Sequence, residues 1–529
     1  MHKFHLTSFC FSGQMGPRHF ERFMLDQLTD GQLDWAELDE DYDNCVLVNG
    51  DKQEFIPIWK DRKKLVADLI KRYPKHEEGI KKFFDLMTST SKSFLTFPML
   101  KVLPYWIGWV AIKTGLTKFL GGFFHAYHEK TLDKVFQELF GNDEEIKTVL
   151  GYVWGDYGVE PSRVGYGMLS LLYGHYAKGG FYPVGGASEI AHTMIPVIEK
   201  SGGRVLVNAM VTDILLDENN TARGVRVKTS SGPIDIAAKM IISDAGVSNT
   251  FKKLLPKEVA LKTQMGQMLE QGRIHPGVGT LQVFIGIKGS QAELQLPKKN
   301  LWIYYNENLE MSFHKFCDME LDTAAEAGDV PFLFVGFPSA KDPSYNDRFP
   351  GKSACTIVTV APMKWFTQWE KDQIKKRGQD YQASKMRLAR KCFELVADLY
   401  PQIRDQLDYI DAGSPLTCQY YINAYAGETY GLETDTERFA PDVVHAVRPR
   451  VQEINNLYLT GQDVLTCGFA AALYSAFLTS QTILQQTGET NNLLGDVKGL
   501  YKRCRKQQSD QPQSKVSEEK NGKLAVAEE

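Results

Sequence analysis

Three stretches of this 529-residue chain combine residue types and spacing suited to holding a flat cofactor with polar edges. In the first, the apolar run Leu457-Tyr458-Leu459 ends in a Thr460-Gly461 turn, Asp463 follows, and Gly468 opens a helix-prone run whose early positions, Ala470, Ala471 and Ala472, are small enough for close approach. Asp463 can accept hydrogen bonds from sugar-like hydroxyls. The free N–H groups and positive dipole end of a helix starting at Gly468 can stabilise an anion. An ordinary strand-to-helix turn capped by an aspartate fits the same residues.

The second stretch runs from Gly202-Gly203 through Arg204-Val205-Leu206-Val207 and on from Val211 to Leu216. Gly224-Val225-Arg226-Val227 and Met240-Ile241-Ile242-Ser243-Asp244-Ala245-Gly246 follow. It reads as successive strands, the last delivering a turn of small residues, and by itself it is a β-meander. The third is Gly179-Gly180-Phe181-Tyr182-Pro183-Val184-Gly185-Gly186, ahead of a helix over 188–200. Gly185 and Gly186 permit close backbone approach at no steric cost, and a plain turn before a helix reads the same. His175, Lys178 and Tyr182 beside this loop, and Tyr430 later, are titratable. Each reads first as structural, so the catalytic residue is unknown.

The elements that must position these stretches follow from periodicity. A strand-like run over 44–48 precedes a charged, helix-prone run over 60–82, and helix continues over 130–173. Four runs rich in β-branched and aromatic residues, at 280–287, 302–305, 332–337 and 356–360, predict an antiparallel sheet, followed by a helix over 381–399. The most apolar region is 94–127, where the run 102–112 lies between Lys101 and Lys113. Eleven residues fall short of the roughly 20 that span a bilayer. Trp106, Trp109 and Tyr105 with flanking lysines fit a helix lying in a membrane interface; a buried helix lining an apolar pocket fits as well. From Arg503 the sequence is polar and reads as a disordered tail.

With 43% hydrophobic residues the chain can bury a large core of two or three structural units, and a net charge of -4 gives nucleic acid no basic surface to bind. The eight cysteines are scattered without a CxxC pair or a Cys/His quartet, so they read as free thiols and no metal site is expected. The first thirteen residues are too short and polar for a secretory signal, and the terminal Val-Ala-Glu-Glu is not a retention signal.

Taken in order, 179–186, 242–246, Phe337-Pro338-Ser339-Ala340-Lys341-Asp342-Pro343, Ala412-Gly413-Ser414-Pro415-Leu416-Thr417 and Thr460-Gly461-Gln462-Asp463 resemble the vertebrate retinol saturases, or all-trans-retinol 13,14-reductases. The resemblance runs from about residue 13 to about 502. More loosely the skeleton is similar to that of the flavin-dependent phytoene desaturases, carotenoid isomerases and amine oxidases.

That resemblance implies an α/β fold: a flavin-binding Rossmann-like domain, incomplete at its N-terminus, with a second substrate domain of antiparallel sheet plus helices. Its parts would be a mostly helical lobe over 1–175, flavin-domain segments over 176–250 and 451–502, the substrate domain over 251–450, and a tail over 503–529. It implies FAD, with NAD or NADP open as the upstream hydride source. FAD would be held by Gly185, Gly186, Val211 (through its backbone, near adenine), Gly461, Asp463 (ribityl hydroxyls) and Gly468 (reduced ring). It implies retinol or a related apolar polyene as substrate, reduction of the C13=C14 bond, and the endoplasmic reticulum membrane as location. Family members carry a strand and a G-x-G-x-x-G turn ahead of the point where this chain starts. On that basis an incomplete gene model or a short isoform with weak flavin binding is expected. A flavin-dependent isomerase or desaturase and a noncatalytic retinoid- or lipid-binding protein stand as alternatives.

Overall fold

The β-branched and aromatic runs form strands, and half of the fourteen described meet in one sheet. The structure is a computed structural model that describes residues 13–119, 122–305, 308–326, 330–488 and 493–509. Its strands are β1 (Trp35–Glu37), β2 (Asp41–Asn49), β3 (Lys52–Trp59), β4 (Phe181–Pro183), β5 (Met210–Leu216), β6 (Ala222–Thr229) and β7 (Gly232–Ala237). They continue with β8 (Ile241–Ser243), β9 (Thr280–Lys288), β10 (Asn300–Tyr304), β11 (Leu333–Gly336), β12 (Lys352–Val360), β13 (Leu407–Gly413) and β14 (Leu457–Leu459).

The seven-stranded sheet has the order β13-β9-β12-β11-β10-β2-β3, antiparallel throughout except for the parallel pair β10 and β2. Its central strands are buried along their whole length, so both faces are covered, and their sequences are continuous apolar runs instead of alternating ones. The helix Gly378–Leu399 packs on one of those faces through Leu388, Cys392, Phe393 and Val396 at helical spacing. The N-terminal stretch expected as a helical lobe thus also supplies two strands, β2 and β3, to the sheet built by residues beyond 280.

A polar knot fastens that long-range pair. Asp43 on β2 is fully buried; its carboxylate accepts from Asn300 Nδ2 at 2.8 Å, Tyr152 OH at 3.2 Å and Trp302 Nε1 at 3.3 Å. Lys341 Nζ donates in turn to Asn300 Oδ1. Burial pushes the Asp43 carboxyl up to about 6, with the Asn300 hydrogen bond pulling the other way.

Three smaller sheets accompany the large one among the described residues: the ribbon β1-β4, the meander β5-β6-β7 and the parallel pair β8 and β14. A separate apolar core, containing Ile214, Ile241, Val247, Leu457, Leu459 and Val464, lies beneath the last two. The strand expected over 204–207 does not form. No described strand runs alongside to pair with it, and Leu206 and Val207 are exposed. The helix at 188–200 forms as read, Ser188–Lys200. A C-terminal helix, Leu493–Ser509, enters the segment read as tail, whose remainder lies outside the described residues. The described cysteines are all free.

The apolar run 102–112 does not line a buried pocket. It splits into the helices Phe97–Val102 and Tyr105–Lys113, and in the second Gly108 is the one buried residue. Among the described residues no single helix is long and apolar enough to cross a membrane; this helix and the one before it meet at 119°.

Trp302 joins both halves of this architecture, fully buried and stacked edge-on with Phe334 at 4.9 Å while donating to Asp43. Trp302→Ala is expected to destabilise the protein by about 3–5 kcal/mol, read as a lowered urea midpoint; a change under about 1 kcal/mol would refute this role.

Candidate functional site

β8 and β14 run parallel, with Ile241 opposite Leu457 and Ser243 opposite Leu459, and both chains turn sharply at their carboxyl ends. In open α/β sheets that end is the crevice where ligands bind. The Thr460 N–H donates to Ser243 O at 3.0 Å and ties the two turns together. Gly461 has φ +85°, and a Cβ there would lie 1.8 Å from Asp244 Oδ1, so the turn accepts glycine alone.

Asp463 is 6% exposed, and each oxygen takes one backbone N–H: Oδ2 from Val247 at 2.7 Å and Oδ1 from Leu432 at 2.7 Å. Gly431 makes room for this, since a Cβ there would sit 1.9 Å from Asp463 Oδ1. Arg438, itself buried, donates to the Asp463 carbonyl, and burial lowers its guanidinium to about 10. The carboxylate is therefore first a brace joining three segments, and its remaining lone pairs are what it can offer a ligand's hydroxyls.

Five residues on, Gly468 has φ +94° and no heavy atom within 4 Å of where its Cβ would stand. Its N–H donates to Gln462 Oε1 at 3.1 Å, and the 18-residue helix Phe469–Gln486 begins beside it with three alanines in its first turn. Open space at a helix N-terminus lined by small residues is a cradle for the edge of a flat, anionic group. Trp35 packs on Phe469 at 6.5 Å between ring centroids and pairs with Pro183 across the β1–β4 ribbon, which brings the Gly185-Gly186 loop beside this cradle. The Gly185 N–H donates to Asp342 Oδ2 at 3.1 Å, and its carbonyl accepts from Arg348 Nη1 at 3.1 Å. At Gly186, φ +95°, the nearest atom to a Cβ would be Tyr182 OH at 3.9 Å. Val211 lies apart on β5, half-buried and opposite Val227, in the meander that meets the amino-terminal end of β14 through the Ala222 N–H to Asn455 O bond of 2.9 Å.

The titratable side chains flagged by sequence fall in different surroundings. His175 Nε2 accepts the Gly13 N–H at 2.9 Å, and burial lowers the ring to about 4, so it is neutral. Lys178 is exposed. Tyr182 is buried, 6.0 Å below the Lys341 ammonium. Tyr430 stands over Gly158, where a Cβ would meet its Cδ2 at 3.6 Å. His275, Glu433 and Asp435 form a cluster in which Arg163 pairs with both acids, and the hydrogen bond to Asp435 raises His275 to about 8. These pairs lock the loop that carries Leu432 to Asp463.

Sequence reasoning missed Asp156, in a tight 3-10 turn whose tripeptide Trp154-Gly155-Asp156 carries no signature. Tyr176 OH donates to its Oδ2 at 3.5 Å, and the Cys467 S–H donates to its carbonyl at 3.6 Å, next to Gly468. Burial, then the charge of Asp43, holds its carboxyl well above the usual carboxylate range.

Gly461→Ala is expected to cost about 2–5 kcal/mol, from the left-handed backbone and the overlap with Asp244, whereas Gly468→Ala, with open space around it, costs about 1–2 kcal/mol. Thermal melts of the two variants check the order; equal losses would refute it.

No protein-family model matches the chain. Over 501 residues it is 37% identical to the all-trans-retinol 13,14-reductase of Homo sapiens, covering 95% of this chain and 80% of that protein. It is also 37% identical over 465 residues to the Danio rerio protein of the same name, covering 88% and 76%. Among solved structures, an oxidoreductase from Methanosarcina mazei superposes with a TM-score of 0.53 at 12% identity, over 89% of this chain and 87% of that one, a likeness of fold.

Proposed function

The chain belongs to the all-trans-retinol 13,14-reductase family, and we propose that it is itself a flavin-dependent oxidoreductase that saturates the C13=C14 bond of all-trans-retinol, giving all-trans-13,14-dihydroretinol. The observation that carries this reading is a likeness to that reductase along nearly the whole chain. It is joined by the glycine turns and the open helix N-terminus that follow β8 and β14, whose donors and small residues suit a flavin.

FAD, when bound, supplies the reducing equivalent as hydride. Gly461 and the Asp463 brace fix the turn that would hold the ribityl chain. The N-terminus of the Phe469–Gln486 helix would stabilise negative charge at the ring's edge, Gly185 and Gly186 would offer bare backbone, and Val211 would meet adenine through its backbone. NADH and NADPH are the reductant classes proposed upstream.

Retinol partitions into lipid, and we place the protein on a membrane surface, that of the endoplasmic reticulum. Trp106 is 67% exposed and Trp109 48%, with Leu95, Met99 and Leu116 exposed nearby. Below this face Lys101 donates to Val444 O at 3.0 Å, and Arg448 donates to Lys101 O at 2.9 Å, so the platform is anchored to the body of the protein. Apolar and indole side chains over a basic helix end suit the headgroup boundary.

Incubating the purified protein with FAD, all-trans-retinol and NADH or NADPH is expected to give bound flavin absorption and a product heavier by two hydrogens. A product of unchanged mass would mean an isomerase, loss of two hydrogens a desaturase, and a protein that stays colourless would overturn the flavin reading. In flotation with anionic phospholipid vesicles, Trp106→Ser with Trp109→Ser is expected to weaken binding by about tenfold or more; unchanged flotation would remove this face as the membrane contact.

A further inference from the structure

Saturating a carbon–carbon double bond needs a proton as well as a hydride, and the groups that could donate it in the interior are few. Among the buried acids described, Asp43 spends both oxygens on Asn300, Tyr152 and Trp302, and Asp463 spends both on backbone N–H groups. Glu428 accepts from the N–H groups of Tyr425 and Ala426, Glu160 pairs with Arg163, and Asp342 takes the Gly185 N–H and Arg348. Glu21, raised by burial, is closed off beneath Tyr474, whose OH it accepts. His175 is a neutral ring beside Gly13.

Asp156 differs from all of these. It lies deep in the molecule yet keeps accessible surface, as do Tyr430, Cys467 and Gly468 around it, while Trp154 and Tyr157 on the same turn are closed off. Asp156, Tyr430, Cys467 and Gly468 thus share accessible surface beside the open space around Gly468. The turn is held there by the Cys467 S–H to Asp156 O contact at 3.6 Å and by Tyr430 stacked over Gly158. Tyr176 OH reaches Oδ2 at 3.5 Å, a long contact that leaves the carboxyl able to turn toward that open space.

We propose that Asp156 is the proton donor of the reduction. Its O–H bond breaks and a C–H bond forms at one carbon of the substrate's double bond, using the π electron pair, as hydride forms the C–H bond at the other carbon. The aspartate left behind regains its proton from water. This rests on the reductase reading above. The protein keeps the acid loaded: burial disfavours the carboxylate, and Asp43 adds repulsion. The titratable groups facing it are Asp43, Tyr157, Tyr176, Tyr304, Tyr430 and Cys467, and none of them is a cation that would stabilise its ionised form.

The holoenzyme is compared with Asp156→Asn and Asp156→Glu by turnover against pH, by retinol affinity and by infrared spectroscopy. Asp156→Asn is expected to bind retinol as the parent does and to lose roughly 10²–10⁴-fold in kcat, and the fall in kcat at high pH expected of the parent should vanish. Asp156→Glu should restore part of kcat with that fall displaced in pH. Independently of turnover or flavin, the parent at neutral pH should show the carbonyl stretch of a protonated carboxylic acid that Asp156→Asn lacks. An Asp156→Asn enzyme within threefold of the parent overturns the assignment, as does a parent without that band. Should Asp156→Asn fail to fold, an unmoved pH profile in Asp156→Glu overturns it equally. A parent protein that leaves retinol untouched overturns the reductase reading, while the infrared band still decides whether Asp156 holds a proton.

Discussion

The carboxylate of Asp463 takes one backbone N–H on each oxygen, from Val247 and from Leu432, which stand 216 and 31 residues away. A buried charge persists only when it is satisfied in this way, and removing the charge or a partner from such a set costs several kcal/mol. The surrounding sequence follows from that requirement. Gly431 leaves room for the carboxylate, Gly461 lets the chain reach it past Asp244, and Arg438 closes over its carbonyl from below. The parallel pair β8 and β14, the turn that ends it and the start of the Phe469–Gln486 helix are all aligned by this one side chain. The cradle at Gly468 is as rigid as that brace.

A second interior region works on a different principle. Around Asp43 and Asp156 the protein buries two carboxyls among tyrosines and amides with few countercharges, so burial raises both and the hydrogen bonds each accepts oppose that rise to different extents. Asp43 has donors on both oxygens and serves as a fastener between β2 and β10. Asp156 has a single long contact from Tyr176 on its carboxyl. The same residue type thus takes a structural role in one place and a chemical one in the other, according to how many donors surround it.

Much of this was legible in the sequence. The strands from 280 to 360, the helix Ser188–Lys200 and the strand-turn-helix at 457–484 follow from periodicity and turn chemistry, because each is a local pattern. The glycines of the cradle were visible for the same reason. What escaped were features made by distant segments meeting. Asp463 reads locally as a ligand for hydroxyls, and its work as a brace appears only when residues 247 and 432 arrive. Asp156 sits in an unremarkable tripeptide and gains its character from Cys467 and Tyr176. The apolar run 102–112 is equally compatible in sequence with a buried or an exposed helix, and tertiary packing decides for exposure. The run at 204–207 has strand-forming residues but no described strand beside it, and propensity alone does not make a ladder.

The parallel pairing of β2 with β10 has a consequence for how the chain is made. Asn300 and Asp43 meet across 257 residues, so the hairpin of β2 and β3 leaves the ribosome long before its neighbour exists. At synthesis rates of about 5–20 residues per second, that wait is roughly 13–50 seconds. Throughout it one edge of β2, rich in valine and leucine, stands unpaired with a carboxylate whose amide and indole donors have yet to be translated. Long-range strand pairing is slow and leaves such edges open to association. The order of synthesis thus leaves this strand edge open until the second half of the protein emerges to cover it.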